Sequence, residues 1–269
     1  MKFTFIGAGS AFSYHNGQSN VLVEIDVGLE VSRGMIDFGT QATLLLKDKF
    51  GWESNFVEMI NWYYISHDHA DHTGGIEQAA FTSRFNPKAK KPDMYGNAQV
   101  LREGWDYTWK GGLASLEYAK LREEEQGKPI TLENYFNTHY IGANGKFMIG
   151  EYEFRLVQTI HVVNDMSFMH SYGLFITTPF GYKILFTSDT QFAPHQLTGL
   201  YTKADVIFHD CETTPFKSGV HAHYDDLKTL PPEIKSKLWL YHYNDGKLPD
   251  SKSDGFLGFV TKGQEFNFV

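Results

Sequence analysis

Polar and apolar positions alternate over residues 2–6 and then break at Gly7-Ala8-Gly9-Ser10, which predicts a first strand and a turn. Residues 20–25 and 33–40 predict two more strands, the second closing in a turn. Residues 41–49 and 55–61 predict a helix broken at Phe50-Gly51, and the aromatic run Trp62-Tyr63-Tyr64-Ile65 predicts a buried strand. A short helix is expected over residues 78–85 and a short strand at Met94-Tyr95-Gly96. Strong helix formers then predict helices over 98–109 and 113–126, separated by Gly111-Gly112, with Arg122-Glu123-Glu124-Glu125 as a solvated end. From Lys146 the texture is strand after strand, over 146–149, 152–160, 172–178, 182–187, 206–209 and 238–242. Two groups of strands, each followed by helices, predict an α/β (α+β) fold, a four-layered αββα sandwich. One domain over residues 1–269 is expected, with a helical elaboration at about 97–137.

Neither period survives in Ser66-His67-Asp68-His69-Ala70-Asp71-His72-Thr73-Gly74-Gly75. Three imidazoles and two carboxylates fall within six residues at a strand's C-terminal end, where a rigid strand can fix metal ligands. Imidazole suits zinc and similar transition metals. His67 and His69 are two apart and point the same way in an extended segment. Asp71 and His72 follow after the chain turns, too close to share one tetrahedral ion comfortably with the first pair. Two ions are the natural reading. The plain alternative is a polar surface loop, which such dense clustering disfavours. Gly7-Ala8-Gly9 is not read as a phosphate loop, because its third glycine and its strand–helix setting are missing.

The chain has 269 residues and a formal net charge of −8, which disfavours a broad nucleic-acid surface and so a large nucleic acid partner. No apolar run approaches the roughly 20 residues of a membrane span, and residues 1–7 read as a strand rather than a signal peptide. Cys211 is the single cysteine, so no intrachain disulfide forms and a cytoplasmic setting is expected. Trp105, Tyr107 and Trp109 crowd one stretch, either as core or as a surface that stacks on a base or a partner subunit. Core is preferred.

The H-x-H-x-D-H loop resembles that of the metallo-β-lactamase superfamily, whose members are mostly hydrolases. Phe5-Ile6-Gly7-Ala8-Gly9-Ser10-Ala11-Phe12-Ser13, with Met35-Ile36-Asp37-Phe38-Gly39-Thr40 after it, is similar to the opening of the ribonuclease Z-like branch. Asp37 is then either a turn residue or a carboxylate that orients a histidine. His161, Asp189 and His242 each follow a predicted strand, as His67 does. Matched residue by residue, the resemblance implies that His67, His69, His161 and Asp189 bind one ion. It implies Asp71, His72, Asp189 and His242 for the second, with Asp189 bridging. His69 departs from the flavodiiron reductases, which have glutamate there, and Asp189 from β-lactamases, which often have cysteine. The resemblance therefore points to a dinuclear hydrolase holding two divalent metal ions, zinc first and manganese second.

Two such ions can clamp a phosphodiester and supply a nucleophilic water. Asp71 is a candidate to orient or deprotonate that water. The leaving oxygen needs a proton, and Ser218-Gly219-Val220-His221-Ala222-His223-Tyr224 resembles the stretch that supplies it, with His223 the better match and His221 second. Only 28 residues separate His161 from Asp189, too few for the long arm with which bacterial ribonuclease Z grips transfer RNA. Over nearly its whole length the chain is most similar to the anti-Pycsar phosphodiesterases of phages and bacteria. That resemblance implies hydrolysis of a small 3′,5′-cyclic nucleotide, defeat of cyclic-nucleotide immune signalling, a homodimer, and residence in the host cytoplasm if phage-encoded. The alternatives are an RNA 3′-end nuclease, another ester, thioester or lactone hydrolase of this fold, and a non-catalytic metal-binding module.

Overall fold

Fourteen strands and eight helices appear among the described residues, 1–51, 56–87, 89–116 and 121–268 of a computed structural model. The first sheet takes β1 (Lys2–Gly7), β2 (Asn20–Val27), β3 (Glu30–Ile36), β4 (Trp62–Ile65), β5 (Asp93–Asn97) and β6 (Asn137–Ile141). The second takes β7 (Lys146–Ile149), β8 (Tyr152–Val163), β9 (Phe168–Thr177), β10 (Lys183–Phe186), β11 (Val206–Asp210), β12 (Leu238–Tyr241) and β13 (Gly258–Phe259). The chain then returns as β14 (Glu265–Asn267) beside β1, so each sheet has seven strands. The helices are α1 (Ala42–Phe50), α2 (Ala70–Thr73), α3 (Ile76–Phe85), α4 (Ala98–Glu103), α5 (Lys110–Leu113), α6 (Pro194–Lys203), α7 (Tyr224–Leu227) and α8 (Pro232–Lys235).

Aromatic side chains fill the space between the sheets. Phe5 meets Phe208 at 5.2 Å and Tyr241 at 5.8 Å between centroids, and Trp62 meets Phe154 at 5.7 Å. Leu45 and Leu46 of α1 and Ala79 and Ala80 of α3 are buried in the same cluster, on the outer side of the first sheet. A second cluster joins Leu197 and Tyr201 of α6, Leu227 of α7 and Ile234 of α8 to Ile207, Leu238 and Leu240. Strand β11 serves both clusters by alternation, with Phe208 in one and Ile207 in the other. The layering is therefore the αββα sandwich.

The topology gives that sandwich a functional edge. Strands β3 to β6 are mutually parallel, as are β10 to β13. Strand β8 is antiparallel to β9, and β9 to β10, so β8 runs with β10. The C-terminal ends of β3, β4, β8, β10, β11 and β12 thus meet at one edge, where ligands collect in open α/β sheets.

The structure corrects several expectations. Residues 98–113 form one helical run, through a π-helical stretch at Gly104–Trp109, and Gly111-Gly112 lies inside it. A Cβ on Gly112 would come 1.8 Å from the Glu77 carboxylate, so that glycine permits close packing on α3 rather than breaking a helix. The helix expected over 113–126 does not form: residues 114–116 are not helical, and Glu123–Glu125 is a single 3₁₀ turn. Residues 117–120 of that expectation lie outside the described residues. The expected solvated end holds for Arg122, Glu123 and Glu124, which are exposed, but not for Glu125, which is buried and pairs with Arg84 through bonds of 2.6 and 3.0 Å. The segment expected at 55–61 is only a 3₁₀ turn, Phe56–Met59, with residue 55 outside the described residues. Strands β6, β13 and β14 had no clear signal. The aromatic stripe is divided: Trp109 is buried, Trp105 half-buried and Tyr107 exposed.

Candidate metal centre

Strand ends deliver the ligand-type side chains to the shared edge. His67 follows β4, and the one-turn helix α2 then carries Asp71 and His72. Alternation along β8 buries Thr159 and His161 and leaves Ile160 between them at the surface, and the register shifts just there, between Ile160 and Val163. Asp37, Ser188 and His242 have φ values of 61°, 52° and 66°, and they are the non-glycine residues at positive φ among the described residues. All three sit just beyond strands of this edge. Such left-handed residues cost about 1–3 kcal/mol each and recur where a side chain must be aimed.

The atoms converge. Nε2 of His67 and Nε2 of His161 each lie 3.1 Å from Nδ1 of His69. Oδ2 of Asp71 lies 3.1 Å from Nε2 of His72 and 3.2 Å from Nε2 of His242. Between them stands Asp189, its Oδ2 3.7 and 3.8 Å from His67 and His161 and 3.4 Å from both His72 and His242. Three groups of four ligand-type atoms result, each within 4.8 Å of one another: His67-His69-His161-Asp189, Asp71-His72-Asp189-His242, and Asp189-Asp210-His221-His242, the last overlapping the second in Asp189 and His242. All seven residues named from the sequence are brought together.

Further groups hold them in place. Asp37 accepts the Ser66 amide at 2.9 Å, the Ser66 hydroxyl at 2.7 Å and Nδ1–H of His72 at 2.7 Å. Ser66 Oγ lies 3.0 Å from Nδ1 of His67, and Nδ1–H of His161 donates to the Val220 carbonyl at 2.8 Å. In these three histidines, His67, His72 and His161, one nitrogen is anchored and the other faces the centre, as expected of metal-ligating imidazoles.

The electrostatics ask for positive charge. Burial, with its histidine neighbours, holds His67 well below the ordinary histidine range and His69 at about 4, so both are neutral donors. Burial also lowers His161. Burial opposes charge on His72 and His242 too, but the carboxylates around them, Asp189 foremost, outweigh it and hold both well above that range. Asp189 and Asp71, despite burial, are held well below the carboxylate range by these same histidines. Even so, Asp189 Oδ1 and His72 Nε2 are buried without a hydrogen bond among the described residues. Buried polar atoms are rarely left so. The neutral imidazoles of His67, His69 and His161, the carboxylates of Asp71 and Asp189, and two further imidazoles whose protons a cation would replace fit a divalent cation of the zinc type.

The two remaining candidates separate. Nδ1 of His221 lies 2.8 Å from Asp210 Oδ2 and 3.8 Å from Asp189 Oδ2, and its ring stacks on His242 at 4.8 Å. His223 is turned away: its Nε2 meets the Thr214 carbonyl at 2.9 Å, and its Nδ1 accepts the Asp225 amide at 3.2 Å as the cap of α7. Of the two, His221 is the one that faces the centre, while both nitrogens of His223 are engaged in holding a loop. Asp210 was missed. It is fully buried, accepts the Thr190 amide at 2.9 Å, and reaches His242 Nδ1 at 3.4 Å as well as His221. Its signal was available, since a polar residue ends the apolar run of β11 as Asp189 follows that of β10.

Comparison with known proteins decides the family. Residues 1–266 match the family described as Anti-Pycsar protein Apyc1. The chain belongs to this family. A family protein of Bacillus phage vB_BsuM-Goe3 is 29% identical over 276 residues, covering 98% of this chain and 97% of its own. The fold is that of the metallo-β-lactamase fold protein YhfI from Bacillus subtilis, with a TM-score of 0.70 at 16% identity over 99% of both chains. A diphosphatase of the PhnP family superposes with a TM-score of 0.69 at 15% identity, over 100% of this chain and 98% of that one. Among the described residues, no helix is long and apolar enough to cross a membrane.

Proposed function

We propose that this chain is a phosphodiesterase that uses two divalent cations, zinc ahead of manganese, to open 3′,5′-cyclic mononucleotides to linear monophosphates. The observation that carries the proposal is Asp189, a single carboxylate common to two four-residue ligand sets. Bound there, the ions would supply charge to hold phosphoryl oxygens and a water that ionises near neutral pH.

The chain's own residues account for the rest. Asp71, beside His72 and His242, would orient the attacking water. Burial opposes a proton on His221, but Asp210 and Asp189 raise its affinity above the ordinary histidine range. That shift favours the protonated ring, which would give the departing ribose oxygen its proton as the P–O ester bond breaks. Asp210 fixes the ring through Nδ1 and leaves Nε2 for that transfer.

A small substrate fits better than a large RNA. The stretch from His161 to Asp189 is spent on the end of β8, on β9 and on β10, so no arm projects from it. The net charge of −8 opposes the backbone contacts that RNA affinity needs. The name of the family supports a role against cyclic-nucleotide immune signalling, in the host cytoplasm for a phage protein. We read the assembly as a homodimer, with exposed Tyr107 on its surface as a candidate contact. Loss of cyclic AMP in the presence of metal-loaded protein, and not of chelator-treated protein, tests the proposal. Loss of RNA 3′ ends or of carbon esters instead would replace it.

A further inference from the structure

A cavity of about 270 Å³ opens beside the metal centre, with His221 and His242 in its wall. Two loops complete it. The first carries Ser10, Ala11 and Phe12; the second carries Phe216, between Thr214 and Ser218. Phe12 is 85% exposed and Phe216 is 68% exposed. Leaving two phenyl rings in water around one cavity gains nothing for folding.

Both loops are held firmly. Asp245, three residues beyond His242, accepts the Ser13 hydroxyl at 2.5 Å, the Tyr14 amide at 2.7 Å and the Asn16 amide side chain at 3.0 Å. The second loop closes on itself. The Glu212 amide donates to the Ala222 carbonyl at 2.8 Å, the Glu212 carboxylate accepts the Ser218 amide at 2.9 Å, and His223 holds the Thr214 carbonyl. The rings are thus presented by anchored backbone at a fixed distance from the histidine assigned to the leaving group.

We infer that Phe12 and Phe216 form a stacking subsite for the nucleobase of the substrate. The inference rests on the cyclic-nucleotide reading above and deepens it. A phosphate seated against the metal ligands leaves its base within reach of a cavity that shares His221 and His242. Phenyl faces bind any base, because every base has a π-face. Two polar groups in the wall already hold the protein itself: the Glu212 carboxylate accepts the Ser218 amide, and the Asn244 side-chain oxygen accepts the Thr213 amide at 3.1 Å. Binding through the ring faces gives a site tolerant of all four bases. It also gives His223 a role, since its bond to Thr214 helps set the loop that carries Phe216.

The test is steady-state kinetics of metal-loaded Phe12→Ala, Phe216→Ala and the native protein. The substrates are the four 3′,5′-cyclic mononucleotides and ribose 3′,5′-cyclic phosphate, which has no base. Both positions are exposed, so equal thermal melts are expected and confirm folding. Each truncation is expected to raise KM for every cyclic nucleotide by about 5- to 100-fold, the loss of one base–aromatic stack. The baseless substrate is unaffected, and Phe→Trp restores the native KM. Native activity with unchanged KM in both truncations overturns the subsite and leaves the phosphodiesterase standing. Truncations that alter oligomeric state with KM unchanged assign the rings to a contact between copies and also overturn it. A native protein inert on all cyclic nucleotides overturns the underlying reading, and the subsite with it.

Discussion

Asp37 Oδ2 lies 2.7 Å from Nδ1 of His72, on a residue held at a φ of 61°. One carboxylate thereby fixes the imidazole of α2 and, through Ser66, the start of the metal loop. Asparagine tolerates the left-handed backbone but lacks the charge. Asp37→Asn should therefore keep the fold and weaken metal binding by about 10- to 100-fold. Competition with a chromophoric chelator measures this, and an unchanged affinity would remove Asp37 from the centre's support.

His221 and His223 should separate in kinetics. His221→Ala is expected to lower kcat by about 10²- to 10⁴-fold, the usual worth of a general acid, with bound metal unchanged by elemental analysis. His223→Ala should leave kcat closer to native and raise KM, since it loosens the loop around Phe216. The reverse ordering would restore His223 as the proton donor.

Metal binding should release protons. In the metal-free protein His72 and His242 titrate well above the ordinary histidine range, so both hold protons at neutral pH. Their stabilising effect is complete below about pH 6.5 and fades as pH rises through their folded values. Asp71 and Asp189 are shifted down, so their contribution is present above about pH 3.9 and is lost as pH falls through their folded values. Cations replace the histidine protons. Metal affinity should thus climb with pH, and titration calorimetry in buffers of different ionisation enthalpy should count on the order of two protons released. A buffer-independent heat would contradict this. Metal loading should also raise Tm.

Far from the centre, Arg84 and Glu125 form a buried two-bond pair, and Asn134 adds a third bond at 2.9 Å. Arg84 holds Glu125 down to about 2. Glu125→Gln leaves the buried guanidinium without its counter-charge and should cost about 3 kcal/mol in denaturant unfolding. Activity per folded molecule should be unchanged. A loss below about 1 kcal/mol would rank the pair with ordinary surface bridges.

The candidate ligands were legible from the dense His/Asp loop after β4, from the polar residues that follow other apolar runs, and from the family resemblance that joined them into two sets. His67, Asp189 and His242 each follow such a run, and Asp210, which ends one, carried the same mark. The ranking of His221 and His223 was not legible, since two histidines two residues apart differ only in where the loop closes. The helix expected over 113–126 failed for a similar reason. Its strong helix formers carry only a propensity, and in the fold residues 114–116 leave the helix while Glu125 packs against Arg84. Strands β6, β13 and β14 are short, and β6 and β14 are edge strands with polar positions, so their period is too brief to register. The aromatic stripe at 105–109 was one pattern with two fates, Trp109 inside and Tyr107 outside.

The most direct test of the central claim is product analysis. Metal-loaded protein would be incubated with 3′,5′-cyclic AMP, GMP, CMP and UMP in ¹⁸O-labelled water, with His69→Ala and Asp189→Asn alongside. Linear monophosphates carrying one labelled oxygen, formed by the native protein and by neither variant, are the predicted result. Cyclic nucleotides that remain intact with the native protein, or that open equally with Asp189→Asn, would contradict it.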